Sequence, residues 1–254
     1  MSITDTVLRH YQAEVFQHLN PFHLAKRFIE GHQHSLIELG DVICRHNLQD
    51  HVGISLLHKH FNISDNELVV REFVNDVAYM KPRNVDDITN LVPYLWKCEI
   101  ANQQALYCPL EFCEYPDRLQ DETHQEVQLI NGSKQFLIEI AEKLEELELT
   151  AFFGIAALCS REPFSLGQEQ TLLETTDEEQ RLLTLIRAPQ AEVDQIDTTQ
   201  TLWTFTPPRL EVVPVFTGVT CSSHCGSHCY AHCSHNGQRL NDGTMVAKDC
   251  SGSA

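Results

Sequence analysis

The sequence predicts a single globular α+β domain over residues 1–206, followed by a Cys/His-rich C-terminal segment over residues 207–254. Apolar residues recur at helical spacing in the first fifty residues and again after residue 133. Between and beyond these stretches lie short runs of branched and aromatic residues, which are typical of strands. Because helices and strands are partly segregated, the pattern favours a mixed or antiparallel sheet with N-terminal helices over alternating βαβ units.

Three helices are predicted at the N-terminus. The first covers residues 2–19, because a start resembling a capping box precedes apolar residues at helical spacing. The dipeptide Asn20-Pro21 breaks the pattern there. A second helix is predicted over residues 22–31 and a third over residues 36–48.

From residue 51 the pattern becomes that of strands. Residues 52–57 form one short apolar run, and a second follows at 68–70 after a polar turn. Residues 73–79 are predicted to add a third strand. The segment 91–115 is interrupted by prolines, so it is expected to hold two strands rather than one helix.

The second half begins with a polar, acidic stretch at 116–131, which is predicted to be a surface loop. A helix follows from Ser133, with an apolar stripe opposite a charged face. Four short apolar runs are then interpreted mostly as strands: residues 151–158, 171–173, 182–186 and 201–205. Pro207-Pro208 marks a boundary, and a last strand is expected at 212–216.

Composition restricts the classes of function. The chain has 254 residues and a formal net charge of −18, which opposes binding to the phosphate backbone of nucleic acids. Neither a membrane-spanning apolar run nor a secretory signal is recognised, so we expect a cytoplasmic protein with no nucleic acid or membrane partner. Ten cysteines in such a chain favour free thiols or metal binding over a disulfide framework.

The segment Cys221 to His235 concentrates potential metal ligands. Cysteine recurs every four residues, a histidine precedes the last three cysteines, and a histidine ends the run. Thiolate sulfur and imidazole nitrogen are the ligands that zinc prefers, so the sequence predicts a structural zinc site. The ligand pool is Cys221, His224, Cys225, His228, Cys229, His232, Cys233 and His235.

Other interpretations of this segment remain open. Its spacing matches no common zinc motif, and a straight helix would supply only about two ligands per ion because each turn rises about 5.4 Å. The segment is also consistent with a low-complexity flexible tail that binds a partner or is modified. Thiolates suit copper(I) as well as zinc, so the sequence does not decide the metal.

A second candidate site is His58 with His60 and Glu67. Residues two apart in a strand face the same way, so the two imidazoles could hold one ion with the carboxylate returning past a turn. This arrangement would make the protein a metal-dependent enzyme. The alternative is a pair of ordinary polar residues on a half-buried strand.

No catalytic residue is assigned from sequence. Nucleophile-elbow, P-loop, dinucleotide-binding and HExxH motifs are all missing from the chain. Cys108 and Cys113 are expected to be buried thiols rather than ligands, and Cys44 and Cys159 are expected in the core.

One block resembles a group of uncharacterised, mainly fungal proteins. The block, H-V-G-I-S-L-L-H-K-H-F, contains Gly53, His58, His60 and Phe61, and Glu67 follows it. The segment Pro109-Leu110-Glu111-Phe112 and the Cys/His-rich C-terminus are also similar. The resemblance covers about half of the chain and implies no established activity, fold or cofactor.

Overall fold

The structure, a computed structural model, describes residues 3–32, 34–75, 77–87, 91–114, 117–158, 169–206, 219–221, 238–239 and 245–246. Helices pack against a curled mixed sheet, so the α+β class is confirmed. None of the helices in these ranges is long and apolar enough to cross a membrane.

Six helices lie in the described residues. They are α1 (Ala13–Gln17), α2 (Phe22–His32), α3 (Ser35–Arg45), α4 (Asp117–Gly132), α5 (Lys134–Glu146) and α6 (Gln190–Val193). The predicted second, third and post-133 helices therefore exist as α2, α3 and α5. Each buries an apolar stripe, as the periodicity requires.

Fourteen strands lie in the described residues. They are β1 (Asp5–Leu8), β2 (Val52–Leu56), β3 (Glu67–Val74), β4 (Val77–Asn84), β5 (Val92–Ala101), β6 (Gln104–Glu114), β7 (Phe153–Ala157), β8 (Gln170–Asp177), β9 (Leu182–Pro189), β10 (Thr199–Gln200), β11 (Leu202–Trp203), β12 (Val219–Cys221), β13 (Gln238–Arg239) and β14 (Met245–Val246). The two strands predicted within 91–115 are thus confirmed. The strand predicted at 212–216 lies outside the described residues.

The main sheet runs in the order β10-β12-β8-β9-β4-β3-β6-β5-β7-β2-β11, and β1 adds to β6 in parallel. Strands β10 and β11 stand at opposite ends of this order, although only Thr201 separates them in the chain. The sheet must therefore curl until both of its ends meet the segment 199–203. This closure places residues from distant strands around one interior.

The predicted helix over residues 2–19 is wrong in its first half. Asp5–Leu8 forms strand β1, paired in parallel with Gln104–Tyr107, and only the short helix α1 follows. The apolar spacing of this stretch fits both structures. A partner one hundred residues away decides the outcome, because strand pairing satisfies the backbone hydrogen bonds that a helix would satisfy locally.

The predicted loop at 116–131 is also wrong, because residues 117–132 form helix α4. Val127 and Ile130 are three residues apart, so they lie on one face of the helix, and both are buried. Few apolar residues mark this helix in the sequence, and the acidic remainder conceals it. Packing of one narrow face against the sheet is enough to order the helix.

Candidate functional site

Charged and polar side chains surround a small cavity inside the curled sheet. The cavity has a volume of about 40 Å³. Its lining is drawn from β2 and the turn after it, β3, β5, β6, β7, β8 and the segment that closes the sheet: Ser55, Leu56, His58, His60, Arg71, Tyr94, Leu95, Glu111, Ala156, Glu174, Thr201 and Leu202. Both histidines, the arginine and both glutamates are buried, which is rare for charged residues unless they are paired or functional.

The two histidines lie just beyond the end of β2. The backbone N–H of Leu57 donates to Phe152 O at 2.7 Å, and that of Lys59 donates to Asn20 O at 2.8 Å. These two bonds hold the chain on either side of His58, whose ring packs 5.0 Å from that of Phe22. The His58 and His60 ring centroids are 4.4 Å apart, so both side chains reach the same cavity.

The tautomer of His58 follows from its hydrogen bond. Its Nδ1 lies 2.9 Å from Leu56 O, and a carbonyl oxygen only accepts, so Nδ1 carries the proton. Burial, with a contribution from His60, lowers the pKa of His58 to about 3. The ring is therefore neutral at physiological pH and its Nε2 is an acceptor. That Nε2 has no hydrogen-bond partner among the described residues.

Glu111 connects His60 to Tyr94. His60 Nε2 lies 3.6 Å from Glu111 Oε1, and the Tyr94 hydroxyl donates to Glu111 Oε2. Burial alone would raise the pKa of Glu111, but its interactions with His60, Arg71 and Tyr94 outweigh burial and lower it. Glu111 is thus a buried, ionised carboxylate. The other nitrogen of His60, Nδ1, has no partner among the described residues.

Arg71 is a buried cation beside this carboxylate. Its guanidinium lies 4.3 Å from the centroid of the Tyr94 ring, and one terminal nitrogen lies 3.4 Å from Met80 Sδ. Burial opposes its charge, yet Tyr94, Cys113 and the two glutamates raise the pKa of Arg71, so the side chain is protonated. Its Nε–H, a fixed donor, has no acceptor within the described part of the chain.

Glu174 approaches the cavity from β8. The Thr201 hydroxyl donates to Glu174 Oε2 at 3.3 Å, which connects β8 to the segment between β10 and β11. Burial raises the pKa of Glu174, although His60 and Arg71 act against the shift. The two glutamates of the cavity therefore differ: Glu111 is held in its ionised form and Glu174 is shifted toward its neutral form.

An irregularity in β5 helps to build the cavity. The register of β5 against β6 shifts on both sides of Leu95. Consecutive side chains of a regular strand point to opposite faces, yet Tyr94 and Leu95 both line the cavity. Bulges of this kind redirect side chains and recur beside functional sites.

This arrangement can bind a small polar molecule. Arg71 Nε supplies a donor and His58 Nε2 an acceptor, while His60 Nε2 faces Glu111 Oε1 beside them. A cavity of about 40 Å³ has room for about three water molecules, at 10–15 Å³ each. His58 itself is a poor base, because its pKa of about 3 makes protonation unfavourable near neutral pH.

The structure joins two of the three residues of the predicted metal enzyme site and separates the third. His58 and His60 share the cavity, but the Glu67 carboxylate binds Arg181 at 2.7 and 3.1 Å and the backbone N–H of Ser64 at 2.8 Å. Glu67 does not line the cavity, and Glu111 takes its place beside His60. Within the described ranges, no three His, Cys, Asp or Glu side chains are arranged to hold a metal ion.

The predicted zinc segment lies almost wholly outside the described residues. Only Cys221 is described, at the end of β12, where it is the register partner of Glu174 in β8 and of Thr199 in β10. The positions outside are His224, Cys225, His228, Cys229, His232, Cys233 and His235. Cys108 and Cys113 are buried thiols as predicted, Cys44 is a half-buried thiol, and Cys159 lies outside the described residues.

Sequence reasoning missed Arg71, Glu111 and Glu174 as site residues. Each interrupts an apolar strand: Val69-Val70 precedes the arginine, Leu110 and Phe112 flank the first glutamate, and Leu172-Leu173 precedes the second. A charge within a run expected to be buried is a usable signal, because such a charge requires a partner. His58 and His60, which follow β2, and Glu111 of β6 meet at this cavity although about fifty residues separate them in the chain.

The chain matches no protein-family model, no curated protein and no solved structure.

Proposed function

We propose that this protein binds a small polar molecule in the cavity lined by His58 and Arg71, next to His60 and Glu111. One observation carries the proposal. Three buried nitrogens of residues that line one cavity, His58 Nε2, His60 Nδ1 and Arg71 Nε, have no hydrogen-bond partner among the described residues.

Such nitrogens are costly in a purely structural cluster. Each buried polar atom without a hydrogen bond costs about 1–3 kcal/mol, so three of them cost several kcal/mol in a domain of ordinary stability. A ligand or water that bonds to them offsets this cost. Perturbed titratable groups in a cavity are also typical of functional sites.

Four planar compounds of the same shape provide the test: acetone, acetamide, acetate and acetamidinium. They differ in charge and in hydrogen-bonding groups but share four non-hydrogen atoms, which suits a cavity with room for about three water molecules. Binding is measured by ligand-observed NMR saturation transfer. We expect at least one compound to bind the wild-type protein.

Ala156→Val is the matched loss-of-site variant, because Ala156 is buried and lines the cavity without being charged. Ala78→Val is its control, at a buried position of β4 that does not line the cavity. Binding should disappear in the first variant and persist in the second. If Ala156→Val does not fold, Ser55→Val serves instead; if none of the four compounds binds wild type, the proposal is wrong.

A second candidate function is structural zinc binding by the segment Cys221 to His235. The ligand content of the segment supports this proposal, together with the pairing of Cys221 between β8 and β10, which connects the segment to the main sheet. Zinc thiolate sites require reduced cysteines, so this proposal places the protein inside the cell. The charge of −18 likewise supports the proposal that nucleic acid is not a partner.

Elemental analysis of the intact untagged protein tests the zinc proposal. We expect one or two zinc ions per chain in wild type and fewer in the double variant Cys225→Ser, Cys229→Ser. Zinc retained in full by the double variant, or missing from wild type purified with zinc present, contradicts the proposal.

A further inference from the structure

We propose that the ligand of the cavity is a small neutral molecule of the amide class, with a carbonyl oxygen directed at Arg71 and an adjacent N–H directed at His58. This inference rests on the proposed ligand-binding function and specifies its chemistry. It follows from the hydrogen-bonding capacity of the cavity, its net charge and its size.

Arg71 requires a hydrogen-bond acceptor on the ligand. A guanidinium has only N–H donors, and it cannot become an acceptor at any accessible pH. Its Nε–H is buried and has no acceptor among the described residues, whereas one terminal nitrogen contacts only the weak acceptor Met80 Sδ. A ligand oxygen in the cavity meets this need, and a carbonyl oxygen does so without adding charge.

His58 requires a hydrogen-bond donor on the ligand. Its Nδ1–H donates to Leu56 O, so Nε2 presents a lone pair and requires a ligand N–H or O–H. A ketone supplies no such donor. The backbone carbonyl that sets this tautomer lies two residues away in the chain, so the assignment is local to the turn after β2.

The charge of the cavity disfavours an ionic ligand. Arg71 and Glu111 already bring opposite charges to the lining of the cavity, and the other titratable groups around them are His58, His60, Tyr94, Cys113 and Glu174. A bound anion adds to the negative charge of Glu111. A bound cation adds to the positive charge of Arg71. Either leaves an uncompensated charge in a buried site, which is strongly unfavourable.

The size of the cavity limits the ligand to a few atoms. A volume of about 40 Å³ corresponds to about three water molecules, so the part of the ligand that enters is about the size of one amide group.

The four compounds of equal shape test the inference directly. In the wild-type protein at pH 7.5, we expect acetamide to bind with a Kd of about 1 mM, which is within the affinity limit for a ligand of four non-hydrogen atoms. Acetate and acetamidinium should each bind at least tenfold more weakly because of their charge. Acetone should bind about tenfold more weakly, because it lacks the N–H that His58 accepts.

Two variants assign the contacts. His58→Phe keeps a planar ring and removes the acceptor, and Arg71→Lys keeps the charge and removes Nε–H. Each substitution should weaken the binding of acetamide about tenfold. His58→Phe should also abolish the preference for acetamide over acetone. His32→Phe is the matched control, because His32 stacks on Phe28 away from the cavity. If Arg71→Lys does not fold, His58→Phe decides the question.

The outcomes separate this inference from the proposed function. Preferential binding of acetate or acetamidinium overturns the amide assignment and leaves a ligand-binding cavity. Equal binding of acetone and acetamide overturns the role of His58 Nε2. Failure of all four compounds rejects both proposals.

Discussion

The buried charges of this protein are compensated residue by residue. Arg71 stacks on Tyr94, Tyr94 donates to Glu111, and Glu111 faces His60. Removing one partner from such a chain leaves the others buried and unpaired, which costs more than the interaction itself contributes. The cluster is therefore sensitive to single substitutions.

Glu111→Gln tests whether the negative charge of Glu111 balances the buried positive charge of Arg71. The substitution keeps the shape of the side chain and removes the negative charge, so we expect a loss of about 3–5 kcal/mol in the free energy of unfolding. The measurement is urea denaturation at pH 7. Glu114→Gln is the control, because Glu114 is exposed and pairs with Arg83 at the surface, where the expected loss is below about 1 kcal/mol. Equal losses in the two variants would show that Glu111 does not balance a buried charge.

Burial of a neutral His58 predicts that the folded protein loses stability in acid. The unfolded chain protonates this histidine below about pH 6.5, but the folded chain does so only near its pKa of about 3. The unfolded state thus binds more protons between these values, and stability falls as pH falls, by up to about 1.4 kcal/mol per pH unit. His58→Phe should remove this slope between pH 6 and pH 4, measured by urea denaturation at each pH. An unchanged slope contradicts burial of a neutral ring.

Glu174 should give the opposite dependence on pH. Burial raises its pKa in the folded state, so its contribution to stability is fully present below the unfolded value of about 4.3 and is lost as pH rises through the folded pKa. In the Glu174→Gln variant, stability should therefore decline less than in wild type as pH rises through the folded pKa of Glu174. Thermal melts from pH 4 to pH 8 measure it, and a variant with the wild-type profile contradicts the assignment.

Individual elements show where local pattern is sufficient and where it is not. Helices α2, α3 and α5 have wide apolar stripes, so their periodicity identifies them. Strand β1 and helix α4 do not have such a signature. The first depends on pairing with β6 and the second on a narrow face that includes Val127 and Ile130.

Two neighbouring residues test helix α4. Ile130 is buried to 1% exposure and Leu129 is 45% exposed, as helix geometry requires of successive residues. Ile130→Ala should cost about 2–5 kcal/mol, because it removes a buried side chain from the core. Leu129→Ala should change stability by less than about 0.5 kcal/mol. Similar effects, measured by chemical denaturation, would favour the surface loop that the sequence suggested.

At the scale of the whole molecule, curling of the sheet creates the site. Glu174 lies near one end of the strand order. Thr201 lies between β10 and β11, the strands at the two ends of that order. The first cysteine of the Cys/His segment is the register partner of Glu174 on the neighbouring strand. Metal binding by that segment would therefore act at the closure of the sheet.

The proposed zinc site predicts a change in thermal stability. Zinc present at about 100 times its Kd and bound only to the folded chain stabilises it by about 2.7 kcal/mol, which corresponds to roughly 5–10 °C in Tm. The double variant Cys225→Ser, Cys229→Ser should lose this increment. Ser222→Ala with Ser223→Ala is the control, because these residues of the same segment are poor zinc ligands. A Tm equal to that of wild type in both variants contradicts a structural site.

Local sequence pattern was sufficient to predict the α+β class, helices α2, α3 and α5, strands β5 and β6, and His58 and His60 as candidate site residues. These features depend on local periodicity and on residue types whose preferences act over a few positions. The three-dimensional arrangement of the strands is what places Glu111 and Arg71, rather than Glu67, beside the histidines. The reason is that curling of the sheet brings together strands distant in the chain, and no spacing within one segment encodes which of their side chains will share an interior.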